Sequence, residues 1–210
     1  DRGERSMGIV NTNGRKFEIQ KHQHPIPRNY GDFDPKNRLR GRFAIGHNRY
    51  PTCGDSDSPT NAQPLFFDRS KFGKYAIGHN GTFCQINEVE RELIKAGIHF
   101  QSTTDTEMFP FLMGRSRETE FRKAIEFATG QIKAAYSLLF IKNNSIIGLR
   151  DRYGVRPLEM ATLDKGYLLA SENWVFDQVG GDYIGPVNPG EMVVFSKKDG
   201  WRPERHQILD

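Results

Sequence analysis

The sequence predicts an α+β fold in which helices pack on largely antiparallel sheets. Short runs of strand-forming residues recur along the whole chain, and three helical patterns lie together in its middle. The links between successive strands are too short for the crossovers that parallel neighbours need, so antiparallel pairing is expected. The length is close to the ~100–200 residues of one domain. No linker divides the sequence, so we expect a single domain over residues 1–210.

Seven strands are predicted from runs of β-branched, aromatic and aliphatic residues bounded by Gly, Asn or Pro. They are residues 7–10, 43–46, 75–78, 135–141, 146–149, 167–170 and 191–195. Residues 142–145 are predicted to form a hairpin turn, because Asn tolerates the left-handed backbone that such a turn needs. The polar stretch 17–42 is predicted to form a loop or flap with at most one strand.

Three helices are predicted between the strands. The first has apolar residues at helical spacing over residues 86–94 and is expected to end at Gly97. The second is predicted to begin at Asp105, whose carboxylate could cap the free backbone N–H groups of the first turn. The third spans residues 118–128, with one apolar face, and stops at Gly130.

A repeated pentapeptide indicates where polar side chains converge. Ala-Ile-Gly-His-Asn occurs at residues 44–48 and again at 76–80. Each copy is an apolar strand end that runs into Gly and polar residues. The repeat predicts two adjacent strands with similar exits, which would bring their polar side chains to one edge of a sheet.

Composition argues against several classes of function. The chain has 30 basic and 26 acidic residues, without the continuous basic stripe of a nucleic-acid interface. No apolar run approaches the ~20 residues of a membrane-spanning helix. The two cysteines form no disulfide framework, which predicts a reducing compartment, the cytoplasm.

No metal or cofactor is predicted for this chain. His22 and His24 have no third ligand nearby, so a solvated loop is favoured over a metal site. Trp174 and Phe176 are predicted core residues.

Three polar clusters carry groups that suit an amino-acid ligand. Arg49 could hold a carboxylate with two parallel hydrogen bonds, and Thr52 could add a hydroxyl. The Asn80 amide and the Gly81 N–H could donate to one oxyanion. Asp105 could accept an ammonium group. Together these groups match a zwitterionic amino acid with a side-chain carbonyl, such as glutamine.

Each cluster also has a simpler interpretation when it is taken alone. Arg49 could form a surface salt bridge. Asn-Gly at residues 80–81 is the commonest dipeptide of tight turns. Asp105 could simply cap its helix and have no role in ligand binding. The occurrence of all three clusters in one chain favours the ligand site.

In this order and with these flanking residues, the clusters resemble the glutaminase domain of class II glutamine amidotransferases, which are N-terminal-nucleophile hydrolases. Segments 150–158, 170–172 and 188–191 are similar to the amidophosphoribosyltransferase family, rather than to the glucosamine-6-phosphate, asparagine or glutamate synthases. The resemblance runs from residue 1 to about Phe195. It implies a four-layer αββα sandwich, in which two largely antiparallel sheets lie between helices.

The resemblance also implies a reaction. An N-terminal cysteine, with its own α-amine as base, attacks the glutamine amide and forms a thioester, and ammonia passes to a phosphoribosyltransferase domain. There it reacts with phosphoribosyl pyrophosphate to give 5-phosphoribosylamine for purine biosynthesis. Mg²⁺ is expected in that second domain, whose acidic motif does not occur in this sequence. The full-length protein is expected to be a homo-oligomer.

The same resemblance assigns roles to the polar clusters. Arg49 and Thr52 are implied to hold the glutamine carboxylate, and Asp105 its ammonium group. Asn80 and Gly81 are implied to form the oxyanion hole.

The sequence departs from the family at its beginning. Arg2 matches the arginine of the family's His-Arg-Gly-Gln segment and is implied to support the nucleophile's end of the pocket, but Asp1 and Glu4 replace the His and the Gln. In the family the nucleophilic cysteine precedes this segment by a strand and a helix. We therefore expect a partial domain that lacks its first strand and helix, and no activity from this chain alone. Cys53 and Cys84 are expected to be ordinary thiols, because neither follows a free α-amine.

Two alternatives remain open. The chain could be a pseudoenzyme without the cysteine, which binds glutamine or a partner protein as a sensor. It could also be the glutaminase domain of another class II amidotransferase, whose second domain would be a sugar isomerase or an ATP-using synthetase.

Overall fold

The computed structural model describes residues 6–23, 39–50, 58–83, 87–164, 166–197 and 200–210. Twelve strands lie in this part of the chain. They are β1 (Ser6–Thr12), β2 (Phe17–His22), β3 (Phe43–Arg49), β4 (Leu65–Phe67), β5 (Tyr75–Gly81), β6 (Tyr136–Lys142), β7 (Ser145–Arg150), β8 (Glu159–Leu163), β9 (Gly166–Ala170), β10 (Asp182–Pro186), β11 (Glu191–Ser196) and β12 (Glu204–Gln207).

The strands form three sheets, and every described strand pair is antiparallel, as predicted. The central sheet has six strands in the order β4-β5-β6-β7-β11-β12. Two smaller sheets have the orders β2-β1-β3 and β10-β8-β9. The helices are α1 (Asn87–Lys95), α2 (Met108–Arg115), α3 (Phe121–Gly130) and α4 (Trp174–Val179).

Successive side chains of a strand point to opposite faces of its sheet. Because the strands of the central sheet have apolar residues at successive positions, both faces of this sheet are apolar. On β5, Tyr75 and Ile77 belong to the cluster that contains the buried side chains of α1, α2 and α3. Ala76, between them, packs with Val10 of β1 and Ile45 of β3. Helices therefore cover one face of the central sheet, and smaller sheets cover the other, which gives three successive layers of the expected αββα sandwich.

The two smaller sheets lie side by side on the same face of the central sheet. Leu139 of β6 contacts the cluster under β1 and β3 and also the cluster under β8. Strands β3 and β9 border a groove of about 470 Å³ whose floor includes Leu139, Ile146 and Phe195. We call this space the β3–β9 groove.

All seven predicted strands are present, and residues 143–144 form the predicted turn. The stretch 17–42 contains one described strand, β2, as expected. The sequence does not predict β4, β8, β10 or β12. Strand β12 is a polar edge strand without apolar alternation, and β10 is an edge strand that contains Gly and Pro, so neither carries the usual signal.

The helices follow the predictions with shifted boundaries. Gly97 has a φ of +80° just beyond α1, as expected of a residue that ends a helix. Helix α3 begins at Phe121, not at residue 118, because Phe121 is its first buried residue and Glu120 is extended. Its predicted apolar face is buried.

None of the helices in the described part of the chain is long and apolar enough to cross a membrane.

Asp151 joins three backbone segments beneath the central sheet. Its side chain is buried, and one carboxylate oxygen accepts the Tyr136 N–H at 3.0 Å. The other oxygen accepts the N–H groups of Tyr153 at 2.7 Å and Gly154 at 3.1 Å. The main-chain oxygen of Asp151 accepts the Gly190 N–H at 2.8 Å. This carboxylate therefore holds the turn after β7 against the start of β6.

We expect Asp151→Ala to lower the free energy of unfolding by roughly 3–5 kcal/mol, because it leaves buried N–H groups unpaired at ~1–3 kcal/mol each. Asp151→Asn keeps an acceptor and should lose less. The exposed Asp177 provides the matched control, since Asp177→Ala should change stability by no more than about 0.5 kcal/mol. Urea denaturation measures all three variants. Equal losses for Asp151→Ala and Asp177→Ala would contradict this role.

Candidate functional site

Four predicted site residues line one cleft of about 920 Å³. They are Arg49, Asn80, Gly81 and Asp105. The cleft lies where β3 and β5 end, beside the 3₁₀ turn Asp105–Glu107. Residues almost sixty positions apart in the sequence therefore meet in one concave site.

Two further predicted site residues, Thr52 and Arg2, lie outside the described residues. So do Cys53, Cys84 and His24. Their implied roles stay predictions. Among the residues that the structure describes, no group of three or more His, Cys, Asp and Glu side chains is placed to hold a metal ion.

The two copies of the repeated pentapeptide end at the cleft, but they are not neighbours in one sheet. The first lies on β3 and the second on β5, in sheets that stack on each other. His47 Nε2 of the first copy donates to the main-chain oxygen of His79 in the second, at 2.9 Å. The prediction of adjacent strands was wrong because a sandwich can superimpose two strand ends as effectively as a single sheet can align them.

Arg49 lines the cleft from the end of β3. It is the last residue of β3, and only 4% of its surface is exposed. A buried guanidinium does not fit the alternative of a simple surface salt bridge. A second arginine, Arg156, also lines the cleft, and its buried Nε has no hydrogen-bond partner among the described residues. In the sequence, Arg156 is distinguished only as part of the family-like segment 150–158.

Asn80 and Gly81 do not form the tight turn that was the alternative for this dipeptide. They are the last two residues of β5 and pair with Ser137 and Tyr136 of β6. Gly81 has a φ of +147°, and a Cβ atom there would lie 2.5 Å from the main-chain oxygen of Ala135. Only glycine fits this close approach.

The Asn80 amide is held by a residue from another sheet. Its Nδ2 donates to Ser171 Oγ at 3.2 Å, and Ser171 follows β9 directly. Ser171, Glu172 and Trp174 all line the cleft. Trp174 is 57% exposed, so its predicted place in the core was wrong, whereas Phe176 is buried as expected.

Asp105 faces the cleft and does not cap the helix. Thr104 occupies the cap position, with extended backbone, and its hydroxyl accepts the Thr106 N–H at 3.5 Å. Asp105 instead accepts the Phe83 N–H at 2.5 Å through one carboxylate oxygen. The other oxygen lies 3.7 Å from His79 Nδ1. The capping prediction was wrong because Thr104 is one residue closer to the extended segment and supplies the cap itself.

Burial gives the Asp105 carboxyl unusual acid–base properties. Its pKa is raised above the ordinary value of 3.8 by loss of water, against the opposing effect of hydrogen bonds from Phe83, Thr104 and Thr106. A buried carboxylate of this kind gains most when a cation replaces the missing water. Asp105 is therefore suited to hold an ammonium group.

A buried network that the sequence patterns did not predict fixes Asp105 relative to β5. The His79 N–H donates to Gln63 Oε1 at 2.8 Å, and Gln63 Nε2 donates to Thr106 Oγ1 at 3.1 Å. His79 Nδ1 lies 3.0 Å from the same Thr106 hydroxyl. The imidazole also stacks on Phe83, with ring centroids 4.1 Å apart. The sequence signal that could have indicated this network is the histidine in each copy of the repeated pentapeptide.

Both histidines are neutral at physiological pH. Burial is the main cause in each case, lowering the pKa of His79 to about 3 and that of His47 to about 4. They act as hydrogen-bonding groups and add no charge to the cleft. The described charges facing the cleft come from Arg49, Arg156, Asp105 and Glu172.

Sequence comparison links the chain to amidotransferases. A family model described as "Glutamine amidotransferase domain" matches residues 47–178, a range that includes all four described site residues. An amidophosphoribosyltransferase of Bacillus subtilis is 33% identical over 207 residues, which cover 99% of this chain and 43% of the relative. One from Rhizobium etli is 35% identical over 193 residues, with 92% and 38% covered. The chain thus spans less than half the length of these curated relatives.

Solved structures match over nearly the whole chain. A glutamine phosphoribosylpyrophosphate amidotransferase from B. subtilis, complexed with ADP and GMP, superimposes with a TM-score of 0.90 at 31% identity, covering 99% of this chain and 44% of that chain. A glutamine aminotransferase class-II domain protein from Silicibacter pomeroyi gives a TM-score of 0.67 at 12% identity, which shows a shared fold only. The expected N-terminal-nucleophile hydrolase fold is confirmed. Because the family model covers more than half of the sequence, the chain belongs to the glutamine amidotransferase domain family.

Proposed function

We propose that this chain is the glutaminase part of an amidophosphoribosyltransferase. In the complete enzyme it would hydrolyse glutamine to glutamate and deliver ammonia to phosphoribosyl pyrophosphate, forming 5-phosphoribosylamine. The observation that carries the proposal is the convergence of Arg49, Asn80, Gly81 and Asp105 in one cleft. The names of the B. subtilis and R. etli relatives support the same activity.

The charges of the cleft suit a free α-amino acid. Arg49 would hold the glutamine carboxylate by a charge-assisted pair of hydrogen bonds, and Thr52 would add a further donor. Asp105 would hold the ammonium group, whose charge offsets the cost of burying the carboxylate. A ligand without an ammonium group would leave the Asp105 carboxylate without this compensation.

The amide end of glutamine would lie at the end of β5. Attack by a cysteine thiolate on the amide carbon pushes an electron pair onto the carbonyl oxygen, and Asn80 Nδ2 and the Gly81 N–H would donate to it. Collapse of this intermediate forms the thioester and expels ammonia, and water then releases glutamate. The described residues that line the cleft include no cysteine, so the nucleophile would come from elsewhere, with Arg2 supporting that end of the pocket.

The remaining components belong to the complete protein. We propose a phosphoribosyltransferase domain as the ammonia acceptor, with Mg²⁺ bound in that domain, and a homo-oligomeric enzyme. More than half of the B. subtilis relative lies outside the matched region, which leaves room for such a domain. We place the enzyme in the cytoplasm, since the low cysteine count fits a reducing compartment.

Calorimetry with L-glutamine tests the proposal directly. The 210-residue chain should bind glutamine but release no glutamate. We expect Asp105→Asn to weaken binding about 100-fold or more, because removing one charge of a buried pair costs ~3–5 kcal/mol. Asn keeps an acceptor for the Phe83 N–H, so the fold should persist.

The matched control is Asp177→Asn, which makes the same charge change at an exposed position on α4. It should bind glutamine like the unchanged chain. Asparagine, which is one methylene shorter, should bind the unchanged chain roughly tenfold or more weakly. Unaltered affinity in Asp105→Asn would contradict the proposal, whereas glutamate release by the chain alone would contradict only the expected lack of a nucleophile.

Glutamine affinity should depend on acid pH through Asp105. Its pKa is raised by burial, so the ionised form that binds ammonium is lost at a pH above the ordinary 3.8. Affinity should therefore be constant near neutral pH and fall as the pH drops through this raised pKa.

The contribution of Asp105 to the free energy of unfolding responds to acid in the opposite direction from the affinity. Its raised pKa in the folded state means that ionisation destabilises the fold, so protonation removes that cost.

Calorimetric titrations at a series of pH values, with Asp105→Asn as the reference, measure this effect. The variant should show no such acid limb, because His47 and His79 stay neutral until the pH reaches about 4 and about 3. An acid limb of equal size in both proteins would assign the effect to another group.

The oxyanion donor should act on the rate more than on binding. In the full-length protein that carries the nucleophile, Asn80→Ala should lower kcat for glutamine hydrolysis by about 10²–10³ with little change in KM. Ser171→Ala removes only the partner that orients the amide and should cost less. Steady-state glutamate production measures both. A large rise in KM with unchanged kcat would instead place Asn80 in ground-state binding.

A further inference from the structure

Two arginines line the cleft, although glutamine has only one carboxylate. The proposed function assigns Arg49 to that carboxylate and gives Arg156 no task. The guanidinium of Arg156 keeps its positive charge at every accessible pH. Asp105 and Glu172 are the described acidic residues that line the cleft. Among the residues that the structure describes, no carboxylate forms an ion pair with Arg156.

The backbone of Arg156 is anchored beside the oxyanion end of the cleft. Asn80 of β5 lies opposite Ser137 of β6 in the central sheet. The Ser137 hydroxyl donates to the main-chain oxygen of Arg156 at 2.9 Å, and Arg150 Nε donates to the same oxygen at 3.0 Å. Because directly opposite residues of an antiparallel pair point to the same face, Arg156 lies on the face that the Asn80 side chain occupies.

The guanidinium of Arg156 has a hydrogen-bond donor that is not used. Its Nε is buried and has no partner in the described part of the chain. Its charge is felt at His79, the residue before Asn80, where burial lowers the pKa most and the charges of His47 and Arg156 add to the effect. A buried N–H without an acceptor is costly, and a ligand oxygen beside it would remove that cost.

The product of the proposed reaction differs from the substrate at this end of the cleft. Hydrolysis converts the neutral amide of glutamine into the γ-carboxylate of glutamate. That carboxylate brings a second negative charge into a cleft that already contains two acidic side chains, so it needs a cation of its own. A guanidinium binds a carboxylate through charge-assisted hydrogen bonds, which are stronger than those to a neutral amide oxygen.

We propose that Arg156 forms an anion subsite at the oxyanion end of the cleft and binds the γ-carboxylate of glutamate. This inference rests on the proposed function, because Asn80 and Gly81 define where the amide lies. Arg156 then sets the relative affinity of the cleft for the anionic product and the neutral substrate. Arg49 and Arg156 hold the two carboxylates of glutamate, and Asp105 holds its ammonium group.

Calorimetry of the 210-residue chain with L-glutamate and L-glutamine tests the subsite near neutral pH. The unchanged chain should bind glutamate at least as tightly as glutamine. Arg156→Gln should weaken glutamate binding about 10–100-fold, the usual contribution of a hydrogen bond to a charged group. Glutamine binding should weaken by no more than about threefold, since its amide oxygen is neutral.

Two further variants separate the local charge from other effects. Arg152→Gln removes the same charge at an exposed position four residues away, and it should leave the ratio of the two Kd values unchanged. Arg156→Lys keeps the charge without the planar fork and should retain part of the preference for glutamate. The comparison of the two amino acids on the unchanged chain stays decisive if Arg156→Gln fails to fold.

The full-length enzyme provides a kinetic readout of the same subsite. Arg156→Gln should raise the inhibition constant of glutamate about tenfold or more, with the KM for glutamine changed by no more than about threefold. A purely structural role would shift both constants together.

Two results would overturn the inference. One is equal weakening of both amino acids in Arg156→Gln, and the other is glutamate binding to the unchanged chain about tenfold or more weakly than glutamine. If glutamine binding still depends on Asp105, either result leaves the proposed function intact. Absence of glutamine binding would refute the proposed function together with the subsite.

Discussion

The geometry of the cleft depends on the position of His79. Its main-chain oxygen accepts from His47 of β3, and its N–H donates to Gln63. Its ring meets Thr106, beside Asp105. One buried residue therefore ties the end of the outer sheet, the end of the central sheet and the turn before α2 to one another. Because these contacts are short and shielded from water, the spacing between the residues of the cleft is set before a ligand arrives.

The cleft holds opposite charges in place and keeps them partly desolvated. Arg49 is almost fully buried, and loss of water raises the pKa of Asp105. The ionised Asp105 carboxylate is costly in the empty protein, and a ligand cation beside it offsets that cost. A preorganised site of this kind favours a zwitterion over neutral amides, even when the amide groups are identical.

Sequence patterns predicted the fold class, seven of the twelve described strands and four of the residues that line the cleft. Their success has a physical basis, since apolar alternation and helical spacing report burial directly. Two errors came from local rules that tertiary structure overrode. Asp105 has the right residue type for a helix cap, but Thr104 takes that place and leaves the carboxylate free for the cleft. The repeated pentapeptide suggested neighbouring strands because a sequence does not distinguish pairing within a sheet from stacking between sheets. The contribution of Gln63 and Thr106 depends on contacts between distant segments, for which a single sequence carries no local signal.

Leu139 is the point at which the two smaller sheets meet the same part of the central sheet. The two sheets share no strand in the described part of the chain, so the opening of one breaks no backbone hydrogen bond of the other. Side-chain packing on the central sheet therefore couples the two smaller sheets. The cleft takes residues from both smaller sheets, so a local opening of either sheet displaces part of its lining.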